Sequence, residues 1–402
     1  MRFGRRARRP VAVVHIGAMK TGTTFLQGVL LENRDALRDQ GVLVPGGPGD
    51  FGRGARDILG LTHGDAALAA RVDGVWARLV EEMSAWDGAA SVYSMEFLSF
   101  ARPPKAAEIM RTLRGLDVHV VLTIRDSLGA LPAQWQSWSR NRGHLAWPDF
   151  ALQVRQEVDG PALKTFRRAQ DTLRMLDVWA PLVRPDRLHV VLVPPSSAPR
   201  SALWERFASV AGIDPAGVDL TGVPSNPSLG YASCDLLRRM NPALTGTPLS
   251  RYQRTLRWAA RTVLAPRRGE EPRHRLDEAT AAFLADWNSR VRDRLASGVA
   301  HVVGDLDDLP PAYDPSACDP GERPRDVEVA EVAACAQVLL AGLARRARAR
   351  DLARPARGSA DWSAAAGRGE PVVTAGLDAE TAASVRDTAT VLRLLVEGDG
   401  GQ

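Results

Sequence analysis

Cysteine and lysine are both scarce in this chain of 402 residues. Cys234, Cys318 and Cys335 are odd in number and follow no metal-ligand spacing, which argues against a disulfide framework or a cysteine-held metal and fits a reducing cytoplasm. No run reaches the ~18–20 apolar residues of a membrane-spanning helix, so no integral membrane segment is expected. The net charge of +5 is carried by arginines dispersed among 47 acidic residues. A nucleic-acid partner is not expected from charge spread this evenly. Only the tip MRFGRRARRP clusters its charge, and it reads as a solvated basic arm over residues 1–10. The apolar stretch behind it, VAVVHIGAM, is too short for a signal-peptide core.

Lysine scarcity makes one lysine informative. Of 52 basic residues only Lys20, Lys105 and Lys164 are lysines, and Lys20 lies in the segment His15-Ile-Gly-Ala-Met-Lys-Thr-Gly-Thr-Thr24. The apolar run VAVV precedes this segment. Behind it Phe25, Leu26, Val29, Leu30 and Leu37 recur at helical spacing. A strand, a glycine loop and a helix in that order place backbone N–H groups and a helix N-terminus around an anion. Gly17 and Gly22 are five apart as in nucleotide triphosphatases, but Thr23 follows Gly22 where those proteins carry lysine. With its lysine inside the loop, the segment suits a shorter anion held without metal.

Further on, the apolar runs ASVYSMEFLSF, DVHVVLTIRD and DRLHVVLVPP alternate with the helical patterns PPKAAEIMRTLRGL, SLGALPAQWQSWSR and SALWERFASVAG. Buried strands separated by helices predict an α/β fold, a three-layer, P-loop-like parallel sheet flanked by helices. Ligands of such sheets bind at the carboxyl ends of the strands, where Lys20, Glu96 and Arg125 all fall. Residues 11–311 are expected to form this domain. Residues 312–402 read as a linker followed by a helical C-terminal tail, with VEVAEVAACAQVLLAGLARRARARDLA and LDAETAASVRDTATVLRLLVEG as helices and 354–375 as low-complexity loop.

IGAMKTGTTFLQGVLLENRDAL, YSMEFLS, VVLTIRD with LPAQWQSW, HVVLVPP with LWERFA, and VPSNPSLGYA together resemble the bacterial, actinobacterial-type sulfotransferase-like proteins of the 3′-phosphoadenosine 5′-phosphosulfate (PAPS)-dependent sulfotransferase family. The resemblance implies that Lys20 neutralises charge at the bridging oxygen of PAPS. Gly17, Thr21, Gly22, Thr23 and Thr24 would hold its 5′-phosphosulfate, with no metal required. It also implies that Arg125 binds the 3′-phosphate together with a serine eight residues on. The sequence departs there, with Ala133 in the serine's place and Ser137 one turn later.

Sulfuryl transfer to a hydroxyl or amine also needs a group to take the acceptor's proton. Glu96, after a strand expected to end facing the loop, is the first candidate, and His63 in GLTHGDAA is the reserve. His15 reads as a residue that packs or hydrogen-bonds within the first strand. The acceptor is expected to be a small molecule or carbohydrate. Trp135, Trp138 and Trp147 would suit a sugar or polyketide ring, or build core. Two other readings stand beside this one. The first is a non-catalytic nucleotide-binding protein on the same fold. The second is a P-loop kinase, for which Asp126 would have to hold Mg²⁺.

Overall fold

The computed structural model describes residues 9–62, 64–223, 228–247, 249–349 and 372–398. His63, most of the basic arm and most of the 354–375 stretch lie outside the described residues. Six strands form one sheet: β1 (Val11–Gly17), β2 (Val42–Leu43), β3 (Ala90–Ser94), β4 (Asp117–Ile124), β5 (Leu188–Leu192) and β6 (His301–Val303). Their order is β2-β3-β1-β4-β5-β6, and every pairing is parallel. The α/β class expected from the alternating runs is therefore present, with helices flanking the sheet. Val13, Val14, Val92, Val120, Val121, Val190 and Val191 are essentially buried. Burial on both faces is why these strands read as continuous apolar runs and not as alternating ones.

By its contacts the chain divides into two compact units. One comprises Met1–Ala130, Phe166–Asn226 and Leu284–Tyr313 and contains all six strands. The chain leaves β1 toward the β2 edge, whereas it leaves β4 toward β5. The adjacent ends of β1 and β4 are thus the point where the winding reverses, and such a point opens a crevice for ligands. The loop after β1 and Arg125 after β4 flank it.

The other unit, Leu131–Thr165, Pro227–Phe283 and Asp314–Gln402, is helical. Its two C-terminal helices, Val329–Ala349 and Ala379–Gly398, correspond to the two helical patterns of the sequence. They bury Val332, Leu339, Leu343, Val385, Leu392 and Leu395. Trp135 and Trp147 are fully buried in this unit, where each donates its indole N–H to a backbone carbonyl. They build core, so their use as a ring-binding platform is corrected by burial.

Candidate functional site

β1 ends at Gly17 with φ of 106°, the chain turns, and helix Thr23–Glu32 starts after Gly22 with φ of 83°. Both glycines are required twice over. Their positive φ disfavours any side chain, and a Cβ would collide with a neighbour. At Gly17 that atom would lie 2.9 Å from Cβ of Glu96, and at Gly22 it would run into Leu203. Between them Lys20 has φ of 62°, a conformation shared among the described non-glycine residues only with Arg142 and Glu157. A lysine in that region costs ~1–3 kcal/mol and persists only where its surroundings enforce it.

A buried polar chain lies under the loop. Thr21 Oγ1 donates to the Ala18 carbonyl at 2.6 Å, so it must accept from Thr123 Oγ1 at 2.5 Å. Thr123 in turn accepts from His15 Nε2 at 3.0 Å, leaving His15 Nδ1 to accept from Ser94 Oγ at 2.7 Å. This direction follows from the network, because the carbonyl at its end can only accept. His15 is completely buried, and burial lowers its pKa to about 3. It is a neutral clamp joining β3, β1 and β4 to the loop. The expectation that His15 packs or hydrogen-bonds from its place in the first strand holds, with partners on the two neighbouring strands, β3 and β4.

Four of the loop's carbonyls are engaged. Ala18 accepts from Thr21, Met19 from Gln170 Nε2 at 2.9 Å, and Lys20 from Arg125 Nη1 at 3.4 Å. The Gly22 carbonyl accepts from Phe25 and Leu26. The first backbone N–H groups of a helix, here those of Thr23 and Thr24, have no partner within it. Donors presented where acceptors are occupied favour an anion. Thr24 is exposed, Thr23 is buried, and the Thr21 hydroxyl is committed inward. From Thr21 a ligand would meet the main chain and not the hydroxyl.

Arg125 stands directly after β4. Among the described residues it makes one hydrogen bond, the one to Lys20, and no ion pair. Burial depresses its pKa, opposed by the nearby charge of Asp126. Its guanidinium rests against the Cα of Gly129, where a side chain would displace it. A partly desolvated guanidinium with donors in reserve is a receptor for a phosphate fork. Asp126 has a different occupation. Its carboxylate accepts from the backbone N–H of Leu128 at 2.8 Å and Gly129 at 3.0 Å, and from Asn288 Nδ2 at 2.9 Å. It caps the helix Ser127–Ser139.

Glu96 opens a short 3-10 turn, Glu96–Phe100, immediately beyond β3. It is half-buried, and its carboxylate accepts from Gln27 Nε2 at 2.8 Å. Its backbone packs against Gly17. The structure therefore brings Glu96 to the Gly17 side of the loop and Arg125 to the Lys20 side. Ala133 and Ser137 follow Arg125 along the Ser127–Ser139 helix but belong to the helical unit, where Ser137 is buried. Gln27, Ser94, Thr123 and Gln170 have no signature in the sequence. Their roles come from contacts 68 to 151 residues away. Comparison of the chain with protein-family models, curated proteins and solved structures finds no match.

Proposed function

We propose that the protein transfers a sulfuryl group from PAPS, as donor substrate, to a hydroxyl or amine of a small-molecule or carbohydrate acceptor. The carrying observation is that Glu96 and Arg125 meet the same short loop from opposite sides. In this reading the P-loop-like order of strand, glycine loop and helix receives the 5′-phosphosulfate through Gly17, Lys20 and the Gly22–Thr24 backbone. Arg125 takes the 3′-phosphate. The acceptor oxygen or nitrogen attacks sulfur while the bond from sulfur to the bridging oxygen breaks. Adenosine 3′,5′-bisphosphate leaves with that electron pair, Lys20 offsets the developing charge, and Glu96 accepts the acceptor's proton.

Asp126 bears on the kinase alternative. Both its oxygens serve the helix cap and Asn288, so a Mg²⁺ role would dismantle that helix start. The non-catalytic alternative is favoured by Ala133, which removes a hydroxyl from the expected 3′-phosphate site. Titration with adenosine 3′,5′-bisphosphate in the presence of a chelator, followed by turnover of PAPS with a panel of acceptors, decides among them. Metal-independent binding with turnover supports transfer, and binding without turnover on any acceptor supports a binding protein. Nucleotide binding that requires Mg²⁺ and ATP refutes both.

A further inference from the structure

A second candidate binding site lies in the helical unit, where no motif of the sequence pointed. Helix Leu249–Ala259 runs into a π-helical turn at Ala260–Leu264, opposite helix Val329–Ala349. Helical turns of this wide kind are rare and recur at functional sites. Two open cavities meet here, of about 660 and 770 Å³, and they share Trp258 and Thr262 as a common wall.

The two cavities differ in chemistry. The first has an apolar floor of Trp258, Val263, Pro266, Val338 and Gly342. Val338, at 39% exposure, is one of two large hydrophobic side chains left exposed among the described residues. Gly342 keeps the floor close-packed, since a Cβ there would lie 2.8 Å from Val263. Arg267, Arg345 and Arg346 edge this cavity, and Arg254, Arg257 and Arg261 line its neighbour. Neither lining contains an acidic residue. The acid nearest in chain, Glu270, reaches only Arg267 Nε at 3.3 Å, and Arg267 Nη1 is buried without a hydrogen bond. Among the described residues Arg254, Arg257, Arg261 and Arg345 form no ion pair.

We propose that this double trough binds one molecule of a single-chain anionic amphiphile. Its hydrocarbon chain lies on the Trp258–Val338 floor, and its phosphate, sulfate or carboxylate head lies among the arginines. Arg254, Arg257, Arg261 and Arg345, which form no ion pair among the described residues, repel one another, and an anion relieves that repulsion. The apolar half is what selects an amphiphile over a purely ionic partner. A nucleic-acid strand would fill the basic cavity only, and Trp258 offers it no open ring face on the side where Arg346 lies 4.1 Å from the ring centre. The concave shape favours a single chain over a flat membrane surface. The proposal is independent of the sulfuryl-transfer reading.

The test is calorimetric titration of the full chain with 1-oleoyl lysophosphatidic acid below its micellar concentration. Glycerol 3-phosphate supplies the head alone and monoolein the chain alone. One lipid bound per protein, with each half-ligand at least tenfold weaker, is the expected result. Thr262→Glu and Val338→Glu, both at exposed positions, should each weaken the lipid at least tenfold while leaving the circular dichroism spectrum and melting temperature unchanged. Glycerol 3-phosphate binding as tightly as the lipid would reduce the trough to an anion patch. Binding to phosphatidic acid vesicles without binding of the monomer would make it a membrane face. Tighter binding of a single-stranded oligonucleotide, or lipid affinity untouched in both variants, would equally overturn the proposal.

Discussion

Acidification should loosen the loop from beneath, and His15 supplies the number. Its imidazole is neutral and buried, with a pKa lowered to about 3 by desolvation, against 6.5 when unhindered. Between those values the unfolded chain binds a proton that the folded chain refuses. Stability from this group is therefore fully present above pH 6.5 and is lost as pH falls toward 3. At pH 5 the loss is 1.5 units of 1.36 kcal/mol each, about 2 kcal/mol. His15→Gln removes the titration while keeping an amide able to donate to Thr123. It orphans the Ser94 hydroxyl and should cost ~1–3 kcal/mol at pH 7. Urea unfolding followed by circular dichroism, on both proteins at pH 7 and pH 5, reads the difference directly. His189 and His274, whose pKa values burial also lowers, to about 4 each, titrate alike in both proteins and cancel. The gap between parent and variant should narrow by about 2 kcal/mol at pH 5. A gap that stays constant would mean that His15 is charged or solvated in the folded protein, and the direction assigned to the chain from Ser94 to Ala18 would fall with it.

The remaining predictions concern the loop and its two flanks. Lys20→Ala should lower PAPS turnover by ~10²–10³ with an unchanged melting curve, as expected for a lost donor to developing charge; near-normal turnover removes Lys20 from the chemistry. Arg125→Ala should weaken adenosine 3′,5′-bisphosphate by ~1.5–3 kcal/mol and 5′-AMP hardly at all, whereas equal losses place Arg125 elsewhere. Gly17→Ala should destabilise by ~1–3 kcal/mol through positive φ and the crowding of Glu96, and a neutral result in thermal unfolding would contradict the close approach. Glu96→Gln should retain bisphosphate affinity and lose ~10²-fold or more in turnover. Loss of bisphosphate binding instead would make Glu96 a support for the loop.

The sequence made the interior of the sheet legible because β1, β3, β4 and β5 are buried on both faces. Unbroken Val and Ile runs survive in the chain as a local signal. β2 has two residues and β6 has three, with His301 exposed, so neither carries a pattern that periodicity could detect. The division into two units of three segments each is set by contacts between distant residues and leaves no local trace. Within the site, glycine, lysine and threonine were visible because the backbone conformation and the charge demand those residue types. The partners that fix them were not visible. A glutamine that holds the Met19 carbonyl from position 170 looks like any surface glutamine, and Asn288 on Asp126 looks like any helix asparagine. Asp126 shows the ambiguity that remained. An acidic residue after an apolar strand and before a helix suits a metal ligand or a cap equally well, and only the two N–H groups at 2.8 and 3.0 Å separate them.

Glu96 is the feature that fits least easily into a site otherwise prepared for anions. Four of the loop's carbonyls are occupied, the N-terminal N–H groups of a helix are presented, and Arg125 holds donors in reserve. A glutamate whose backbone and Cβ pack against Gly17 opposes all of this through like-charge repulsion with any phosphate the loop receives. If its function were only to hold Gln27 at 2.8 Å, a neutral side chain would do so without that cost. A group that must finish the reaction carrying a proton has a reason to be there. In the proposed transfer, protonation would remove the repulsion at the moment when negative charge grows on the departing phosphate, so proton uptake and charge development would assist one another. The sign of the binding change in Glu96→Gln follows from this. Removing the carboxylate relieves repulsion in the ground state, so bisphosphate affinity should hold or rise while turnover collapses. A residue that merely buttressed the loop would lose both together.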